Sequence, residues 1–211
     1  EKLDFQTYFV KRGTKDEVRN VIFEGSENAK PAPGIIEAIE EAERVVICPS
    51  NPILSIAPIL SIPTIREQLR RAKAYTVAVS PIIGGKAVKG PADRIMTTMG
   101  LNVSPYGVAE YYKDFLNHMI TDTIDKSQEK QVAELGLKVT TTNTIMKSLQ
   151  DSINLAKTVL DVARALFGKL QSDPEYEVNC DIIGWMTDTS DGKINMRDIS
   201  LIARHFGETD P

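Results

Sequence analysis

Two short loops hold the residues whose types suit chemistry. The first is Pro49-Ser50-Asn51-Pro52, set between the all-apolar run Val45-Val46-Ile47 and the helix-like stretch Ile53 to Leu60. A hydroxyl, a carboxamide and backbone N–H groups at a helix start together suit a phosphate, because N–H groups not yet used by the helix attract an anion. The second loop runs Ser80-Pro81-Ile82-Ile83-Gly84-Gly85-Lys86-Ala87-Val88-Lys89-Gly90-Pro91-Ala92 and also ends at a helix start. Gly84 and Gly85 let the backbone approach a ligand closely, and Lys86 or Lys89 supplies a cation. Each loop taken separately reads equally well as an ordinary strand-to-helix connection. Other reactive side chains favour plain roles. His118 sits among Phe115, Leu116, Met119 and Ile120, as a packed or hydrogen-bonded core histidine does, and His205 belongs to a surface helix. Asp122 and Asp125 are spaced like a carboxylate pair but suit a loop or a helix cap, and Cys48 suits small-residue packing.

The loops need strands and helices to hold them. Val45-Val46-Ile47 and Tyr75 to Val79 are short apolar runs of the kind buried on both faces of a parallel sheet. His118 to Thr121 and Leu137 to Thr141 read as further strands. Helical patterns begin at Pro33-Gly34 and run over Pro63 to Lys73, Pro91 to Met99, Pro105 to Leu116 and Gln128 to Leu135. A long amphipathic helix spans about Gln150 to Leu170, with the stripe Ile153, Leu155, Ala156, Val159, Leu160, Ala163, Leu166 as core or dimer face. Residues 3–12 mix aromatic and β-branched residues and predict a strand, paired with Val18 to Phe23 across Gly13-Thr14-Lys15-Asp16. The expected fold is α/β: a partial, Rossmann-like three-layer parallel sheet over residues 1–170, followed by a short C-terminal calcium-loop-helix tail over 171–211. In such sheets ligands bind beyond the carboxyl ends of the strands, where both loops fall.

Charge supports that boundary. The chain of 211 residues carries a net charge of -4, yet residues 171–211 place nine acids against only Lys193, Arg197 and Arg204. No nucleic-acid surface is implied. The uncharged stretch Val45 to Ile65 has the length of a membrane span but contains Pro49, Pro52, Pro58 and Pro63, so no membrane association is expected. Two distant cysteines, Cys48 and Cys180, and an opening without a signal-peptide pattern fit a cytoplasmic location. The strand count is low for a doubly wound sheet, and a separate or missing N-terminal half is expected.

Several runs together resemble one family. They are Phe-Gln-Thr-Tyr-Phe-Val (5–10), Phe-Glu-Gly (23–25), Pro-Ala-Pro-Gly (31–34), Pro-Ser-Asn-Pro-Ile-Leu-Ser-Ile-Ala-Pro-Ile-Leu (49–60), Val-Ser-Pro-Ile-Ile-Gly-Gly-Lys-Ala-Val-Lys-Gly-Pro-Ala-Asp (79–93), Gly-Val-Ala-Glu-Tyr-Tyr (107–112) and Asn143-Thr144-Ile145-Met146. In order and spacing they resemble the 2-phospho-L-lactate transferases of coenzyme F-420 biosynthesis over about residues 1–167. The resemblance implies transfer of a phospho-lactyl (or phosphoenolpyruvyl) group from a guanosine diphosphate ester to a hydroxyl of the deazaflavin precursor, with GMP leaving and Mg2+ assisting. It implies that Ser50, Asn51 and Pro52 lie beside the nucleotide phosphates. It places Ser80, Pro81, Gly84, Gly85 and Lys89 around the nucleotide or acceptor cleft, and it implies a homodimer. The family's glycine-rich first loop and its early acidic residues have no match here, so catalytic residues stay unassigned.

The tail has its own pattern. Asp191-Gly192-Lys193-Ile194-Asn195-Met196-Arg197-Asp198 fits the second half of a calcium loop, with an acid before the turn glycine and an acid closing the site. Asp191, Asn195 and Asp198 are the candidate Ca2+ ligands. Thr187 and Thr189 occupy the first two ligand positions, unless an insertion lets Asp181 serve as the first. Residues 180–206 resemble a single dockerin repeat. Two other readings stay open: a non-catalytic nucleotide-sugar-binding regulator, and a calcium-stabilised interaction module.

Overall fold

The computed structural model describes residues 1–164. The expected boundary near residue 171 and the candidate calcium ligands Asp181, Asp191, Asn195 and Asp198 lie outside the described residues. In chain order the elements are α1 (Ile35–Glu41), β1 (Arg44–Ile47), α2 (Ala57–Leu60), α3 (Pro63–Arg71), β2 (Tyr75–Val79), β3 (Ile82–Ile83), β4 (Lys86–Ala87), α4 (Ala92–Thr98), α5 (Pro105–Tyr112), β5 (His118–Asp122), α6 (Glu129–Ala133), β6 (Lys138–Thr142) and α7 (Leu149–Arg164). A π-helical turn, Pro52–Ile56, leads into α2, and a 3-10 segment, Thr123–Gln128, leads into α6.

The main sheet has the order β1-β2-β5-β6, and every pair is parallel. Its interior residues are apolar on both sides because helices cover both faces. Val45, Ile47, Ala78 and Met119 join a core with Ile39 of α1, Ile65 and Leu69 of α3, Ile95 and Met96 of α4, Val108 and Tyr112 of α5, and Val132 of α6. Val77, Val79 and Ile120 point to the opposite face and pack on Leu155, Val159 and Ala163 of α7. Leu155, Val159 and Ala163 of the stripe read from the sequence are therefore core, Leu166 lies outside the described residues, and the protein is the three-layer α/β fold it predicted. The stretch Val45 to Ile65 resolves into strand, loop and short helices, and among the described residues no helix is long and apolar enough to cross a membrane.

The N-terminal hairpin is a correction. Thr7–Lys11 forms a single π-helical turn, and residues 18–23 pair with no strand. The aromatics follow a helical spacing rather than a strand's alternation. Phe5 and Phe9 stack with ring centroids 5.2 Å apart. Asp4 begins the turn by accepting from the Thr7 N–H at 3.0 Å, and Gly13 and Thr14, both at positive φ, end it. Val18 is fixed instead by its carbonyl, which accepts from the Thr98 hydroxyl of α4 at 2.8 Å.

Candidate functional site

Because β1 and β2 are parallel neighbours, with Ile47 opposite Ala78, the loops that leave their carboxyl ends start side by side. Asn51 shapes the first loop. Its Oδ1 accepts from the N–H groups of Ile53 and Leu54, each at 3.0 Å. Those two amides are thus capped from within the chain and are not free for an anion. Pro52 is buried at the first position of the π-helical turn. What the loop keeps for a ligand is the hydroxyl of half-buried Ser50 and the Asn51 side-chain NH2.

The second loop is a hairpin. β3 and β4 pair antiparallel through Ile83 and Lys86, leaving Gly84-Gly85 as the two-residue turn. Both glycines have positive φ, 57° and 75°, as a type I′ turn requires of its two central residues. The glycine pair therefore has a backbone reason, and the exposed tip also leaves it open to a ligand. Ser80 is buried, and its hydroxyl is engaged locally: it donates to the Ile82 carbonyl at 3.0 Å and accepts from the Ile82 N–H at 3.2 Å. Pro81 is half-buried beside it, whereas Lys86 and Lys89 are exposed.

Two carboxylates at the end of β5 tie this crest together. Asp122 caps the 3-10 segment by accepting from the Ile124 N–H at 3.0 Å. It also accepts from the Thr144 N–H at 2.8 Å, just beyond β6. Burial alone would raise its carboxyl, but the N–H groups of Ile124 and Thr144 and the hydroxyls of Thr144 and Thr123 outweigh it and hold the group below the usual range. Asp125 is 3% exposed and reaches the hairpin, where its oxygens lie 3.0 and 3.1 Å from the Gly84 nitrogen. Burial pushes its carboxyl up, opposed by the Gly84 N–H and reinforced by the charge of Asp122. The expected cap role holds for Asp122. The sequence carried no signal for the link from Asp125 to Gly84, because the partners stand 41 residues apart.

His118 is a core residue, as expected. Its Nδ1 lies 3.2 Å from the Tyr75 hydroxyl and its Nε2 lies 2.9 Å from the Thr140 hydroxyl. Burial, and then the Lys138 cation, lower its pKa to about 4. At neutral pH it is a neutral imidazole donating through one nitrogen and accepting through the other. Cys48 is a free thiol that burial pushes up, in keeping with packing. A cleft of about 360 Å³ lined by Arg70, Lys73, Tyr75, Lys113, Asp114 and Asn117 opens at the other end of the sheet, where the strands begin. Arg70 there sits in the last turn of α3 and Lys113 at the C-cap of α5, where cations complement the helix dipole. Among the described residues no group of three or more His, Cys, Asp or Glu side chains is placed to hold a metal ion. Asp122 and Asp125 both direct carboxylate oxygens at N–H groups of the chain.

A parallel sheet with helices on both faces and two loops side by side at its carboxyl edge defines an α/β protein of the Rossmann-like type. The chain belongs to the 2-phospho-L-lactate transferase family: the family described as 2-phospho-L-lactate transferase CofD matches residues 2–162. It is 44% identical over 164 residues to a 2-phospho-L-lactate transferase of Methanocaldococcus jannaschii, covering 78% of this chain and 51% of that protein. Similar proteins of the same name include one from Methanococcoides burtonii at 43% identity, covering 75% of this chain and 51% of the relative. Another, from Methanosarcina mazei, is 41% identical, with 75% and 52% covered. The chain spans about half the length of the curated relatives it matches.

Proposed function

We propose that the crest formed by Ser50, Asn51 and the 80–91 loop receives the diphosphate of a guanosine diphosphate ester of lactate or enolpyruvate. The observation that carries this reading is the juxtaposition of the two loops at the carboxyl edge of neighbouring parallel strands, in a chain of this family. Ser50 and Asn51 supply donors that hold no bond among the described residues, and Lys86 and Lys89 supply cations beside the turn. In the transfer, the deazaflavin precursor's hydroxyl oxygen forms a new bond to the phosphorus that carries the lactyl group. The bridging P–O bond to GMP breaks, GMP takes that oxygen and its electron pair, and the hydroxyl proton is released. Such a step needs a positioned diphosphate, neutralised charge and an in-line acceptor more than it needs covalent chemistry from the protein. Mg2+ would accompany the diphosphate as its counterion and neutralise part of its charge. Acceptor binding and turnover draw on the part of the relatives' length that this chain does not span, whether supplied in the same chain or by a second one.

Thermal unfolding of this chain with and without GDP and Mg2+ tests the nucleotide step. A ligand that binds only the folded state at a hundred times its Kd stabilises it by about 2.7 kcal/mol. An upward shift with GDP that a UDP-sugar does not reproduce supports the reading. A shift with the UDP-sugar alone favours the nucleotide-sugar regulator, and no shift with either removes the case for a nucleotide site in these residues.

A further inference from the structure

The 80–91 loop reaches outward from the sheet, with Gly84, Gly85, Lys86 and Lys89 all exposed. A two-residue hairpin satisfies the backbone groups of the pair that closes it, Ile83 and Lys86. It makes no such provision for the N–H of the first turn residue, Gly84. That N–H is met by Asp125, from the segment after β5, with carboxylate oxygens at 3.0 and 3.1 Å. Gln128 steadies the carboxylate from the other side, its Nε2 donating to Oδ1 at 3.3 Å. The contact is close in apolar atoms as well, since a Cβ on Gly84 would lie 3.4 Å from Ile124 Cγ2. A charged carboxylate buried to 3% exposure is an expensive way to hold a turn. Burial and the neighbouring Asp122 both press its carboxyl toward the neutral form. A hairpin that needed only to fold would manage with water on that N–H.

We infer that Asp125 is a positioning residue for ligand binding: by gripping the Gly84 N–H it fixes the hairpin's orientation and so places Lys86 and Lys89 for a nucleoside diphosphate. This rests on the nucleotide reading above. It predicts that the hairpin is already set before the ligand arrives, so that binding does not have to order it.

The test uses the whole chain and two measurements. Amide hydrogen exchange at Gly84 reads the grip directly, and calorimetric titration with GDP and Mg2+ reads its consequence. Asp125→Ala is expected to speed Gly84 exchange at least tenfold and to weaken GDP about tenfold. Asp125→Asn keeps an acceptor oxygen and is expected to recover most of both. Asp114→Asn, at the opposite end of the sheet, controls for a general loss of stability and is expected to leave GDP affinity unchanged. If Asp125→Ala leaves Gly84 exchange unchanged, the grip is absent and the inference fails. If exchange quickens but GDP affinity stays at the wild-type value, the contact is structural alone and the inference fails on that ground. If the wild-type chain binds no GDP, the nucleotide reading itself is overturned and the positioning role goes with it. Should Asp125→Ala not fold, Asp125→Ser, whose shorter side chain cannot reach Gly84, and Gln128→Ala carry the comparison: unchanged exchange and affinity in both overturn the inference.

Discussion

His118 shows how a residue that looks chemical serves the fold. Its ring bridges Tyr75 of β2 and Thr140 of β6, so one imidazole joins three neighbouring strands. Protonation would remove its acceptor role and place a charge in the core, which is why its pKa sits at about 4 rather than 6.5. The sign follows directly. A group whose pKa is depressed on folding contributes stability that is full above the unfolded value and is lost as pH falls toward the folded one. We predict that unfolding free energy falls by up to about 3 kcal/mol between pH 6.5 and pH 4 on account of this residue. Urea titrations across that window should show a markedly shallower slope for His118→Gln. Equal slopes would mean that His118 stays accessible to protons in the folded protein.

At the scale of elements, α5 depends on one close approach. Ser104 caps it by accepting from the Gly107 N–H at 3.1 Å, and a Cβ on Gly107 would lie 1.9 Å from the Asn102 carbonyl oxygen. That neighbour is backbone and cannot rotate away. Gly107→Ala is expected to cost about 3 kcal/mol by overpacking, seen as a lower denaturation midpoint with α5 and its neighbours affected first. An Ala variant as stable as the wild type would show that the 102–104 turn yields freely. The same contrast between local and distant causes governs what could be read from the sequence. β2 was legible to the residue, and β1, β5, β6 and the helices nearly so, since apolar runs, Pro at helix starts and cations at helix ends are short-range signals. The two loops were legible for the same reason, but the β3–β4 hairpin inside the second was not. The N-terminal segment reads as a strand by its aromatic and β-branched composition, but Phe5, Tyr8 and Phe9 follow the i, i+3, i+4 spacing of a helix, and Asp4 and Gly13 and Thr14 at positive φ bound the turn. Asn51 was visible as a polar loop residue, but its side chain capping Ile53 and Leu54 was not. The tie from Asp125 to Gly84 depends on how β2 and β5 are brought together, which no local pattern encodes.

For the whole molecule, the two faces of the sheet are covered very unequally. One is packed by α1 through α6, and among the described residues the other is packed by α7 alone. Leu155, Val159 and Ala163 close over Val77, Val79 and Ile120, and Arg44 of β1 donates to the Ala163 carbonyl at 3.1 Å, tying α7 to the sheet. With so few of the described residues covering that face, each of them carries a large share. Leu155→Ala is expected to cost about 3 kcal/mol through lost burial and the cavity left behind. Chemical denaturation would read this, and a loss under 1 kcal/mol would indicate that another segment shares the face.

The parallel strand order has a consequence for time as well as for space. Every pairing in the main sheet waits for a crossover, and Thr76 meets Asn117 only after the intervening chain has been made and folded back across 41 residues. The β3–β4 hairpin needs no such wait and closes in about 1–10 μs. At about 5–20 residues per second, a ribosome would leave β1 and β2 without β5 for seconds. During synthesis the turn at Gly84 and Gly85 is therefore formed long before Asp125 exists to hold it, and the orientation of the hairpin is fixed only once the segment after β5 has been made.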